Sequence, residues 1–275
     1  MQSTRLNPTL LTSLLALAGC GSPHSSGSGD ERVSRAEGCR AGFVSTADLA
    51  RQAEDVGQAL GIKIGVADSS CTHNGVGCRP PSELQGKLTE NFLLALKDEL
   101  GRYPPQFLAN HGPERIWLVA DLKVSGVSWE AGGLTLDSER LIYLNVTADC
   151  DADFGRHTIH HELFHVLDRQ LFVNKLWDQA WMALNPPGFA YLNDYNKIKG
   201  NAVHPDDGFV TTYAETTIAE DKAETFAFAL VGAYASRLAS WLPADKYLDQ
   251  KERKLHFWLK DKWPDLATLL DAAPP

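Results

Sequence analysis

The run Arg156-His157-Thr158-Ile159-His160-His161-Glu162-Leu163-Phe164-His165 holds three residues that can act on one ion. His161 and His165 are four apart, which on a helix sets both imidazoles on one face, near enough to share a metal. Glu162 follows His161, so its carboxylate can address water held at the ion instead of ligating it. Two neutral nitrogens and a carboxylate base are the equipment of a zinc hydrolase. Nine histidines raise the odds of a chance match. The flanks argue against chance: Ile159, Leu163, Phe164, Val166 and Leu167 make much of the helix apolar, and burying a carboxylate and two imidazoles among them is costly without a compensating ion. His157 and His161 are also four apart, but Thr158 gives that pair no adjacent base. His160 diverges from the His161 face by about a quarter turn or more. Both are read as supporting or surface residues.

A catalytic zinc takes three protein ligands and keeps a position open. The third ligand is sought in Tyr213 to Ala227, where Glu220 and Glu224 stand four apart. They lie on a stretch that reads as helix from Ile218 to Tyr234, with Phe226, Leu230 and Val231 as its apolar face. Spacing alone does not choose between the two glutamates. Together, His161-Glu162-x-x-His165 and Glu220-Asp221-Lys222-Ala223-Glu224 resemble the Glu-zincin metallopeptidases, in particular those related to anthrax lethal factor and the Pro-Pro endopeptidases. The resemblance spans Arg156 to Tyr234. It implies a zincin-like fold, peptidase activity, one zinc per chain and Glu220 as the third ligand. It also implies a catalytic role for Tyr213, seven residues before Glu220. Phe164 stands where those relatives carry a small residue, and the connection between the two helices is longer here. Asp168 and Glu224 are expected to orient ligands.

Several elements have to carry these residues. Helical spacing of Leu49, Ala53, Val56 and Leu60 predicts a helix over 46–60, and a second runs from Ser82 to Leu100. Strands are predicted at Ile62–Val66, Arg115–Ala120, Val124–Trp129, Leu134–Leu136 and Arg140–Val146, and the histidine helix at Phe154–Leu171. From Thr158 onward the chain reads as mostly helical. The expected fold is α+β, a mixed β-sheet on one side and a helical C-terminal lobe on the other, with the site between them. Leu134-Thr135-Leu136 is the candidate edge strand for an extended peptide, as in the zincins this chain resembles. The aromatics between the two ligand helices, Trp177, Trp181, Phe189 and Tyr191, are expected to form a small satellite core.

The chain has 26 basic against 35 acidic residues, a net charge of −9, so nucleic acid is not an expected partner; a peptide or protein substrate is. Its 44% hydrophobic content is that of a globular domain, not a disordered chain. Residues 1–19 read as a signal peptide: Arg5, then an apolar stretch too short to span a bilayer. Leu17-Ala18-Gly19-Cys20 resembles a bacterial lipobox, which implies an exported lipoprotein whose only tie to the membrane is a lipid on Cys20. Residues 20–38 read as a flexible tether rich in small residues, and 39–275 as the peptidase domain. Export favours disulfides, and Cys71–Cys78 with Cys39–Cys150 is the expected pairing. Two other functions fit the same motif, a zinc amidase acting on cell-wall peptides and a non-catalytic surface lipoprotein with a structural zinc. Glu162 and the lack of an evident fourth ligand favour catalysis.

Overall fold

The computed structural model describes residues 42–271, apart from 74, 105, 149, 150, 172–175, 199 and 201. The signal peptide, Cys20, the tether and the Cys39–Cys150 pairing lie outside the described residues. In chain order the elements are α1 (Thr46–Leu60), β1 (Lys63–Val66), β2 (Cys71–His73), β3 (Val76–Arg79), α2 (Gly86–Leu100), α3 (Phe107–His111), β4 (Arg115–Val124), β5 (Gly133–Leu136), β6 (Leu141–Asn145), α4 (Ala152–Leu171), α5 (Leu176–Met182), α6 (Ile218–Leu230), α7 (Gly232–Trp241), α8 (Lys246–Lys262) and α9 (Pro264–Asp271). The predicted α+β architecture holds, with a mixed sheet first and a helical lobe after it.

Local chemistry sets the boundaries. Ser45 accepts the Asp48 N–H to start α1, and Gly61, at φ 71°, ends it in the left-handed conformation that a side chain would oppose. The sheet runs β2-β3-β4-β6-β5, with β1 also paired to β4. β4 is its spine: its first half is parallel to both β1 and β6, and its second half is antiparallel to β3. β5 pairs antiparallel with β6 and ends the order, so the predicted edge strand is found at an edge.

Two expectations are corrected and one element is added. Val124–Trp129 is not a strand. β4 runs unbroken to Val124, and Gly126, at φ 86°, then turns the chain. The predicted helix over 218–234 stops at Leu230, because Val231 goes extended with its side chain buried and α7 starts at Gly232. The hairpin β2–β3 was not foreseen as strands. The Cys71–Cys78 disulfide joins directly opposed residues of that hairpin.

The main core lies between the sheet and the helices. Ile64, Ile116, Leu118, Ile142 and Leu144 from the strands meet Leu163, Leu167 and Phe226 from α4 and α6. Phe164 is fully buried there, with its ring 4.9 Å from that of Phe226. A second cluster, with Val119, Leu122, Leu134 and Tyr143, includes Cys78 of the hairpin. Phe189 and Tyr191 do join a satellite cluster around Phe209 and Phe228. Trp181 does not: it is fully buried in the main core, 5.8 Å from Trp258. Among the described residues no helix is long and apolar enough to cross a membrane.

Candidate metal centre

Two helices from distant parts of the chain build the site, and each has a local reason to start where it does. The Asp151 carboxylate accepts from the N–H groups of Asp153 and Phe154 at the head of α4. Thr217 caps α6 by accepting from the Glu220 N–H at 3.2 Å. Glu220 and Asp221 then fall in the first turn, where the helix dipole favours carboxylates.

His161 and His165 leave one face of α4 with their Nε2 atoms 3.2 Å apart. Glu220 Oε2 lies 3.1 Å from His161 Nε2 and 3.5 Å from His165 Nε2. Four-coordinate zinc with ligand bonds of about 2.0–2.1 Å separates its ligand atoms by about 3.3 Å. The three atoms therefore already stand at the spacing such an ion needs, and all three residues are buried. The electrostatics agree. Burial pushes the pKa of His161 down, but Glu220 and Glu224 outweigh it and hold it at about 10. Burial likewise raises Glu220, and His161 and His165 outweigh it and keep the carboxyl below its ordinary value.

The other nitrogen of His161 is occupied as well. Nδ1 lies 2.7 Å from Glu224 Oε1. That same oxygen is 3.2 Å from His157 Nε2, and Thr211 Oγ1 donates to Glu224 Oε2 at 2.6 Å. Burial would raise Glu224, but the two histidines hold it well below its ordinary value. A carboxylate behind a ligand imidazole fixes the ring's orientation and tautomer. Glu224 is therefore one helical turn from Glu220 and serves the opposite side of the same ring. His157, His161 and Glu224 form a second trio with metal-like spacing. It uses Nδ1 of His161, and Thr211 and the edge-on rings of Phe228 and Tyr234 close around it, so the first trio is the candidate centre.

The Asp168 carboxylate is 2.6 Å from Lys222 Nζ, which ties α4 to α6 by a salt bridge, and it also feels the charge of His165 one turn back. His160, expected as a supporting or surface residue, is fully buried. Its Nε2 is 2.9 Å from Glu99 Oε2 and its Nδ1 is 2.8 Å from the Tyr103 hydroxyl.

Glu162 is fully buried beside the trio and is held by the edge strand. Thr135 Oγ1 is 2.7 Å from Glu162 Oε2 and 3.0 Å from its carbonyl oxygen. Gly133 lies so close that a Cβ there would come within 2.5 Å of Glu162 Oε1, so a side chain at that position would displace the Glu162 carboxylate. Tyr213 stands in a run of turns before α6, with its ring 5.9 Å from that of His161. Tyr195, which no motif singled out, donates from its hydroxyl to Glu220 Oε1 at 2.9 Å. Burial, and then the charge of Glu220, push its pKa far above the ordinary value, so it stays a donor. Glu162 adds to that shift, which sets it in the same buried space.

The family described as "Putative zinc-binding metallo-peptidase" matches residues 99–264. The chain belongs to this family. The matched stretch takes in the His/Glu trio, Glu162, Tyr195 and Tyr213. A solved structure of the same description from Bacteroides caccae shares its fold, with a TM-score of 0.51 at 15% identity over 90% of this chain and 94% of that one. No curated protein matches the chain.

Proposed function

We propose that the chain is a zinc-dependent peptidase of the Glu-zincin kind, with one zinc held by His161, His165 and Glu220. The convergence of His161 Nε2, His165 Nε2 and Glu220 Oε2 within 3.5 Å carries this reading. When bound, zinc supplies a Lewis acid that lowers the pKa of water toward neutrality and polarises a carbonyl oxygen. The protein side of the reaction follows from the residues around it. Glu162 takes the proton of the attacking water at Oε1, while Thr135 keeps Oε2 in place. The same carboxyl then returns the proton to the departing amine. Tyr213 donates to the substrate carbonyl oxygen as charge builds on it, an interaction stronger in the transition state than in the bound peptide. β5 ends the sheet order and holds Glu162 through Thr135, but Leu134 and Thr135 have no exposure, so the outer edge of β5 is not open to a peptide as the strand stands. In this reading the enzyme is an exported lipoprotein anchored through Cys20, and Cys20→Ala releases it from membrane fractions.

The experiment is metal analysis combined with cleavage. Purified protein should carry about one zinc and should cut an unfolded protein substrate. A chelator should abolish the cleavage and added zinc restore it. Zinc-free protein as isolated, or cleavage indifferent to chelator, sinks the reading.

A further inference from the structure

The long connection between α4 and α6 carries a residue that the reaction above does not use. Tyr195 stands on a single 3₁₀ turn, Tyr195–Lys197, which Asp194 caps by accepting from the Asn196 N–H. The two oxygens of Glu220 do different things. Oε2 faces the imidazole nitrogens of His161 and His165, and Oε1 accepts from the Tyr195 hydroxyl at 2.9 Å. A carboxylate that ligates a metal through one oxygen keeps lone pairs on the other, and in a fully buried residue those need a donor. Without that donor the carboxylate could rotate or swing to a two-oxygen mode and fill the position a reactant water needs.

Several contacts fix the phenol where it is. Its ring stacks on Tyr213, with centroids 6.0 Å apart and planes at 27°. Asn196 Nδ2 donates to the Gly126 carbonyl at 2.7 Å, which ties the turn to the end of β4. The Leu192 and Asn193 N–H groups donate to the carbonyls of Glu215 and Thr216, just ahead of α6. The turn is therefore registered at once against the sheet and against the helix that carries Glu220.

We propose that Tyr195 is a positioning residue for the metal: its hydroxyl holds Glu220 as a one-oxygen ligand, which makes the connection between the ligand helices part of the metal site. The inference rests on the zinc reading of the site. The test is Tyr195→Phe, which keeps the stacked ring and removes only the donor. Two quantities are measured on the full chain, zinc affinity by competition with a chromophoric chelator and the thermal midpoint of the zinc-free protein. Zinc should bind roughly 10- to 100-fold more weakly, as for loss of other groups that orient ligands, with the zinc-free midpoint unchanged. A merely structural tyrosine would lower the midpoint and leave the affinity alone. Wild type that binds zinc, with a Phe variant that binds it equally well, overturns the inference and spares the zinc reading. Wild type that takes up no zinc overturns both.

Discussion

His160 and His161 are adjacent on α4, both are fully buried and both face carboxylates, yet their surroundings differ in kind. Behind the helix, His160 lies between Glu99 and Tyr103, and Glu99 is also paired with Arg102 and Arg156. Glu99 can only accept, so His160 Nε2 carries the proton and Nδ1 accepts from the phenol. Donors and acceptors match there, and cations balance the carboxylate. In front of the helix, His161 and His165 meet Glu220 and Glu224, and three atoms that could hold a metal lie within 3.5 Å of one another. The rear cluster is complete as it stands, while the front one has acceptors to spare. Burial and residue type are alike in the two places. The balance of donors against acceptors separates a structural clamp from a candidate metal site.

Substitutions can sharpen or break that contrast. The largest effect should come from Glu162→Gln. It should lower kcat by roughly 10²–10⁴ while zinc content by metal analysis and the thermal midpoint stay at wild-type values; an active Gln variant would move the chemistry elsewhere. Tyr213→Phe should cost about a hundredfold in kcat with KM little changed, read by steady-state kinetics on the zinc-loaded protein, and an unchanged kcat would leave Tyr213 as packing beside His161. Glu224→Gln should act on the metal before the chemistry, weakening zinc roughly 10- to 100-fold in a chelator competition.

Glu99→Gln, on the other side of the same helix, should leave zinc affinity and kcat unchanged and show only in stability. Burial raises the Glu99 pKa, but His160, Arg156 and Arg102 outweigh it and bring it to about 2, below the ordinary 4.5. A depressed folded pKa means stability that is present above the unfolded value and lost as pH falls from about 4.5 toward 2. The Gln variant should be less stable at neutral pH and should show a shallower loss of thermal midpoint across that acid range. Weaker zinc binding in this variant would erase the distinction between front and rear.

The front of α4 was partly legible because its pattern is local. Four residues of helical spacing fix the geometry of His161 and His165 whatever the rest of the fold does. The choice between Glu220 and Glu224 was not legible from spacing, because both project from one face of α6 toward one imidazole. Only the crossing of α6 over α4 gives each its own nitrogen. Most strands of the sheet were legible as short apolar runs and β5 as an edge only through the family resemblance, but the strand order, the β2–β3 hairpin and the turn at Gly126 were not legible, since two strands of three or four residues leave almost no periodicity. The contacts of Thr135 and Gly133 with Glu162, and that of Tyr195 with Glu220, were invisible for a different reason. Each meets the site through a tertiary approach, from an edge strand or from a loop between the ligand helices, and nothing in neighbouring sequence encodes such an approach. His160 was misjudged because its partner, Glu99, is sixty-one residues away.

The grip on His161 from both sides has a thermodynamic consequence. With Nδ1 against Glu224 and Nε2 against Glu220, the ring cannot turn over without breaking contacts at both ends. Its rotational entropy is already lost in the folded chain, so capturing an ion costs little further ordering at this ligand. A proton on Nδ1 would be screened from solvent exchange, since the ring and the Glu224 carboxylate 2.7 Å away are both buried. In a nuclear magnetic resonance spectrum it should persist as a slowly exchanging downfield line, a direct view of how rigid the centre is before any substrate arrives.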